Sequence, residues 1–192
     1  RISDRDIEGL DLSSLRMVVN GAEPVQPRTL EAFIARFAPY GFRSEAMAPV
    51  YGLAENTVGL AFPPQPREPL IDRVSRRALQ RDGRARPAAP DDPHPLEIVA
   101  CGQPLAGNEI RVVDAMGREL GERQEGRLQF RGPSATSGYY QNEEKTAELF
   151  DGDWLESGDR AYIADADIFI TGRAKDIIIR AGRNVYPQEI EA

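Results

Sequence analysis

Eight of the fifteen prolines in this 192-residue chain fall between Pro63 and Pro95, and that concentration divides the molecule. Proline has no amide hydrogen and a fixed φ, so neither a long helix nor a central strand can run through such a stretch. The chain therefore has a part before the prolines, an excursion at 63–95, and a part after them. Within the excursion, Asp72 to Arg86 is polar and rich in arginine. It reads as an inserted surface loop that carries little core.

Upstream, Leu15 to Val19 is a short apolar run ended by Asn20-Gly21, a pattern that predicts a buried strand entering a turn. Pro27 suits the first turn of a helix, where its missing N–H would be unpaired anyway. Leu30, Phe33, Ile34 and Phe37 recur at i, i+3, i+4 and i+7, a one-sided helical stripe, and Pro39 and Gly41 stop it. Met47 to Val50 forms a second strand that leads into Tyr51. Strand, helix, strand is the βαβ unit of a parallel sheet.

Downstream, Ile110 to Val113 and Arg127 to Arg131 alternate as half-buried antiparallel strands, with a turn at Asp114 to Gly117. Asn142, followed by Glu143 and Glu144, opens a short helix through about Phe150. Ile168 to Ile170 and Ile177 to Ile179 are further strands, and Pro187 begins another helix. The expected fold class is α/β plus β-rich. Its parts are a parallel-sheet part at 1–62, the excursion at 63–95, a barrel-like part at 96–171 and the start of a further unit at 172–192.

Several function classes drop out. No apolar run approaches the ~20 residues that a spanning helix needs. Twenty-four basic against 31 acidic residues give a net charge of −7 with no concentrated basic block, which argues against nucleic acid as a partner. The single cysteine, Cys101, excludes an internal disulfide framework and a cysteine-cluster zinc site. The single histidine, His94, stands between two prolines, a poor seat for a general base, so a Ser-His-Asp or Cys-His mechanism is not expected. The chain begins at Arg1, and it is expected to be an excerpt of a longer protein.

Five stretches carry chemistry. Asn20 to Pro24 lies at the carboxyl end of an expected parallel strand, where ligands bind in open α/β sheets. Tyr51 to Glu55 lies on the same rim: Tyr51 offers a stacking ring, Gly52 a close backbone approach and Glu55 hard oxygens for Mg²⁺. Gly126 to Tyr140 combines glycines and hydroxyls in a loop, which suits a phosphate path or a plain corner. In Gly152 to Asp159 a carboxylate follows Ser157-Gly158, and an ionised acid can accept two hydrogen bonds from the vicinal hydroxyls of a ribose. Thr171 to Asp176 joins two apolar runs through a charged segment, compatible with a tether between domains, and Arg173 there could reach the group that Asp159 holds.

In this order, Asn-Gly-Ala-Glu-Pro (20–24), Tyr-Gly-Leu-Ala-Glu (51–55), Gly-Asp-Trp-Leu-Glu-Ser-Gly-Asp (152–159) and Gly-Arg-Ala-Lys-Asp (172–176) resemble the motifs of the adenylate-forming acyl ligases. The run from Arg180 to Glu191 and the insertion after Glu55 look most like the fatty acyl-AMP ligase branch. The resemblance implies the end of a large amino-terminal domain and the start of a small carboxyl-terminal one. It also implies that Ala22, Glu23 and Pro24 sit against adenine with Tyr51 and Gly52, that Asp159 and Arg173 hold the ribose, that Glu55 binds the Mg²⁺ of MgATP, and that Lys175 is the hinge. Ala54 departs from the threonine common there.

ATP and Mg²⁺ are then the expected cofactors and a fatty acid the substrate. An acyl carrier protein or a polyketide or peptide synthase is the expected acceptor, with CoA the alternative, in a cytoplasmic setting. The excerpt itself is expected to be inactive. A non-catalytic relative that binds nucleotide or protein is the rival from another class.

Overall fold

The computed structural model describes residues 3–180 and 183–186. Strand β1 (Val18–Asn20) runs parallel to β2 (Met47–Pro49), with helix α1 (Pro27–Phe37) crossing between them. Pro27 occupies the first turn of α1 as expected, and Leu30 is fully buried against Phe42, Met47 and Val99. Burying a leucine of this kind contributes roughly 1.5–3 kcal/mol. Phe33, Ile34 and Phe37 complete the stripe, and Phe33 meets Phe42 edge-on at 5.3 Å. The helix then tightens into a 3-10 turn at Ala38–Tyr40, which ends on Gly41.

The first strand differs from its expectation. It begins at Val18 rather than Leu15, and Met17 and Val19 are exposed. Side chains alternate along a strand: Val18 turns toward α1, and Val19 points to the opposite face, which no described element covers.

Strands β3 (Ala61–Phe62) and β4 (Ile71–Val74), then helix α2 (Arg76–Asp82), form the proline-rich excursion and its approach. Ser75 caps α2 by accepting the Ala78 N–H. Strand β5 (Leu96–Val99) pairs antiparallel with β4, and β6 (Gln103–Pro104) with β3. Here the reading of a loop with little core is wrong. Val74, Leu79 and Ala85 are completely buried, packed with Tyr162, Phe169 and Tyr186. The prolines stand at the two ends of the excursion and leave residues 70–86 free of them. The arginines cover the outer side of a helix with only one apolar edge. Leu79→Ala should therefore cost about 2–5 kcal/mol, measured by denaturant unfolding; a loss well under one would mean that α2 only rests on the surface.

Residues 109–173 build one antiparallel sheet. Strands β7 (Glu109–Val113) and β8 (Gly126–Arg131) are followed by α3 (Glu143–Leu149), β9 (Phe150–Asp151), β10 (Trp154–Ala164) and β11 (Asp167–Arg173). The order is β11-β10-β8-β7, with β9 on β10. Asn142 caps α3 through the Lys145 N–H, as its sequence implied. One sheet face buries Leu128, Phe130, Ala161 and Ile168; the other stacks Tyr162 on Phe169 with ring centres 4.8 Å apart. Backbone bonds between Cys101, Gly102 and Ile168 join the segment after β5 to β11. Finally β12 (Ile178–Arg180) pairs with β13 (Arg183–Val185), and α2 packs against β13. The helix expected from Pro187 lies outside the described residues. Among those described, no helix is long and apolar enough to cross a membrane.

Candidate nucleotide-binding site

Strand β10 aims the central acid. It pairs with β8 as Glu156 to Gln129 and then Arg160 to Arg127, so three residues of β10 face Leu128 alone. The extra length is taken up at Gly158, whose φ of +78° is left-handed and suits glycine. The Ser157 hydroxyl fixes the bulge by donating to the Leu128 carbonyl (2.8 Å) and accepting the Asp159 N–H (3.0 Å). Bulges re-aim side chains. This one turns Asp159 inward, where it is 8% exposed on the wall of a cavity of about 750 Å³.

Two groups meet Asp159 there. The Tyr51 hydroxyl, 108 residues earlier, donates to Oδ2 at 2.5 Å. Arg173, its register partner on β11, brings Nε within 3.5 Å of Oδ1. Burial raises the Asp159 carboxyl above its ordinary pKa, while the Tyr51 hydrogen bond and the Arg173 charge pull the other way. Burial, then the charge of Asp159, pushes the Tyr51 phenol well up. The pair is thus a phenol donating to a carboxylate, with Asp159 free to accept more bonds on the cavity side.

All seven residues expected to hold the nucleoside line this one cavity: Ala22, Glu23 and Pro24 after β1, Tyr51 and Gly52 after β2, and Asp159 and Arg173. Both loops leave the same ends of two parallel strands, so they share a rim. Glycine at 52 also meets a need within the chain that its motif does not show. A Cβ there would lie 1.6 Å from the Val58 carbonyl oxygen, so a close approach of the chain's own demands glycine.

Sequence reasoning missed part of the wall. Cys101 lines the cavity, and burial followed by the charge of Asp167 pushes its thiol up to about 12. It is an apolar lining group, not a nucleophile. Thr171 and Tyr186 also line the cavity, and both donate to the buried Glu125, at 2.6 and 2.9 Å. Arg160 completes that cluster at 2.9 Å. Nothing local marks Glu125; the arginine next to Asp159 was the available hint.

Glu55 and Lys175 stand outside the lining. Glu55, on a single 3-10 turn at Ala54–Asn56, is half-buried, and its Oε1 accepts the Tyr139 hydroxyl at 2.6 Å. Lys175 lies in the exposed turn between β11 and β12. Among the described residues no group of three or more His, Cys, Asp or Glu could hold a metal ion. Mg²⁺ commonly uses one or two carboxylates beside substrate phosphates and water. A lone Glu55 fits a metal that arrives with a polyphosphate, and does not make a resident metal site.

Fold and cavity together define an α/β protein with a ligand-sized hollow at the carboxyl ends of a parallel strand pair. Residues 3–140 match the family described as AMP-binding enzyme, and the chain belongs to that family. It is 37% identical over 193 residues to the medium-chain-fatty-acid–[acyl-carrier-protein] ligase JamA of Moorena producens (strain JHB), covering 95% of this chain and 32% of that protein. It is 35% identical over 192 residues to a putative acyl-CoA synthetase of Caulobacter vibrioides (strain NA1000 / CB15N), covering 100% of this chain and 34% of that one. Among solved structures it resembles a fatty acyl-adenylate ligase from L. pneumophila in complex with acyl adenylate and pyrophosphate, with 33% identity and a TM-score of 0.84, over 100% of this chain and 34% of that chain. The chain spans about a third of the length of the curated relatives it matches.

Proposed function

We propose that these residues are the nucleoside-holding part of a fatty acyl-AMP ligase, which activates a fatty acid with ATP and passes the acyl group to a carrier protein. The observation that carries this reading is the meeting of Tyr51, Asp159 and Arg173 on one cavity wall. In the proposed complex, Ala22, Glu23 and Pro24 lie along adenine beside Tyr51 and Gly52. Asp159 accepts the ribose hydroxyls, with Arg173 beside it. Lys175 serves as the hinge.

In the reaction, a carboxylate oxygen of the fatty acid attacks the α-phosphorus of ATP. The bond to the β-phosphate oxygen breaks, and acyl-adenylate and pyrophosphate result. A thiol then takes the acyl group and AMP leaves. Such a step needs alignment and charge compensation more than covalent help. Glu55 would hold Mg²⁺, which when bound offsets phosphate charge. The nucleoside contacts fix the α-phosphorus relative to the incoming acid.

Only Lys145 and Lys175 are lysines in this sequence, and neither lines the cavity. The 192 residues alone are accordingly expected to bind AMP without releasing pyrophosphate from ATP, Mg²⁺ and a long-chain fatty acid. Release at the rate of the full-length protein would overturn that.

A CoA-dependent synthetase is the second reading, favoured by the likeness to the Caulobacter protein. Offering the acyl-adenylate of the full-length protein either CoA or a phosphopantetheinylated carrier separates the two. Acyl-carrier should accumulate; efficient acyl-CoA formation would reverse the assignment.

A further inference from the structure

Glu55 sits where two loops are bonded together. The Thr136 N–H donates to the Glu55 carbonyl (2.7 Å), the Thr57 hydroxyl donates to the Ser134 carbonyl (2.9 Å), and the Tyr139 hydroxyl reaches the Glu55 carboxylate itself. The Glu55 loop is under backbone strain: Thr57 and Val58, both β-branched, have φ of +53° and +75°. Left-handed conformations of that kind persist only where the surroundings over-determine them. Here the opposing loop, residues 134–139, supplies that constraint.

Tyr139 is itself firmly placed. Its N–H donates to Thr146 Oγ1 at 2.9 Å, and that hydroxyl donates to the Asn142 carbonyl at 2.8 Å, so the first turn of α3 sets how far the phenol reaches. Yet the side chain is not core, for Tyr139 is 41% exposed. Packing does not account for a tyrosine here. Its defined contact is the carboxylate, whose hydrogen bond also lifts the phenol pKa.

We propose that Tyr139 is a positioning residue for Glu55: by occupying Oε1 it fixes the carboxylate and leaves Oε2 as the oxygen for the Mg²⁺ of MgATP. This rests on the reading of Glu55 given above. Within the stretch from Gly126 to Tyr140, residues 134–139 then form the clamp that presents the acid. Hydrogen bonds to a ligating carboxylate commonly change metal affinity 10- to 100-fold when removed. For a partly exposed phenol the lower end of that range applies.

The test is ATP affinity of the full-length protein by calorimetry, with saturating Mg²⁺ and with EDTA, for wild type, Tyr139→Phe and Glu55→Gln. Tyr139→Phe should cut the Mg²⁺-dependent gain in affinity about 10-fold, with affinity in EDTA and the melting temperature unchanged. Glu55→Gln should remove the gain. If Tyr139→Phe weakens binding equally with and without Mg²⁺, its role is structural and the proposal fails. If Glu55→Gln loses the gain and Tyr139→Phe keeps it, the proposal fails while the reading of Glu55 stands. If neither variant alters the gain, Glu55 is not the metal's residue and both fall.

Discussion

Asp159→Ala will weaken AMP binding by about 2–4 kcal/mol, roughly 30- to 1,000-fold. Two ribose hydroxyls bonded to a charged acceptor are worth about 1.5–3 kcal/mol each. Part of that is offset because the variant no longer holds a desolvated carboxylate. The Tyr51 hydroxyl loses its partner as well, so Asp159→Asn, which keeps an acceptor, should lose less. Calorimetry on the full-length protein measures both. Affinity unchanged in Asp159→Ala would remove the ribose assignment, whichever acceptor the enzyme serves.

The same residue sets a pH dependence. Burial raises the Asp159 pKa, and the proposed ribose contact would need the ionised form. Affinity should therefore be complete above the raised value and fall as pH drops through it. The loss should begin at a higher pH than for an exposed aspartate, whose pKa is about 3.9. Adenosine is the suitable ligand, since it carries no phosphate that titrates in this range. A binding curve flat down to the ordinary aspartate range would contradict the buried placement.

The second large effect is on stability. Glu125 has a fully buried side chain and accepts from Arg160, Thr171 and Tyr186. Removing one member of a buried ion pair leaves the other uncompensated and costs about 3–5 kcal/mol. Glu125→Ala should lower the melting temperature by roughly 6–20 °C, taking ~2–4 °C per kcal/mol for a chain of this size. Glu125→Gln keeps its oxygen acceptor and should fall between. Tyr186 follows the turn that carries Lys175 and Glu125 precedes β8, so the cluster also ties residues after Lys175 to the main sheet. A change under one kcal/mol in Glu125→Ala would mean that the cluster is not held as described.

Much of the local structure was legible. The stripe Leu30, Phe33, Ile34 and Phe37 and the cap at Asn142 are encoded within three or four residues, and both appear where expected. The excursion was misread because its polar composition hid a single apolar edge; Leu79 becomes core only when α2 is laid against Tyr162 and Phe169. A second need for glycine at 52 was not legible, because its neighbour, the Val58 carbonyl, is fixed by a strained turn that composition does not announce.

By itself, the order of residues determined the α1 stripe, the Asn142 cap and the short motifs, because hydrophobic period and capping chemistry act over a turn or two of chain. Only the tertiary structure decided that Tyr51 lies 2.5 Å from Asp159, that Glu125 collects three donors, and that Tyr139 rather than the cavity wall holds Glu55. Those contacts join positions dozens of residues apart. Their geometry follows from one strand bulge, one sheet register and the packing of whole elements, and no local stretch of sequence contains these.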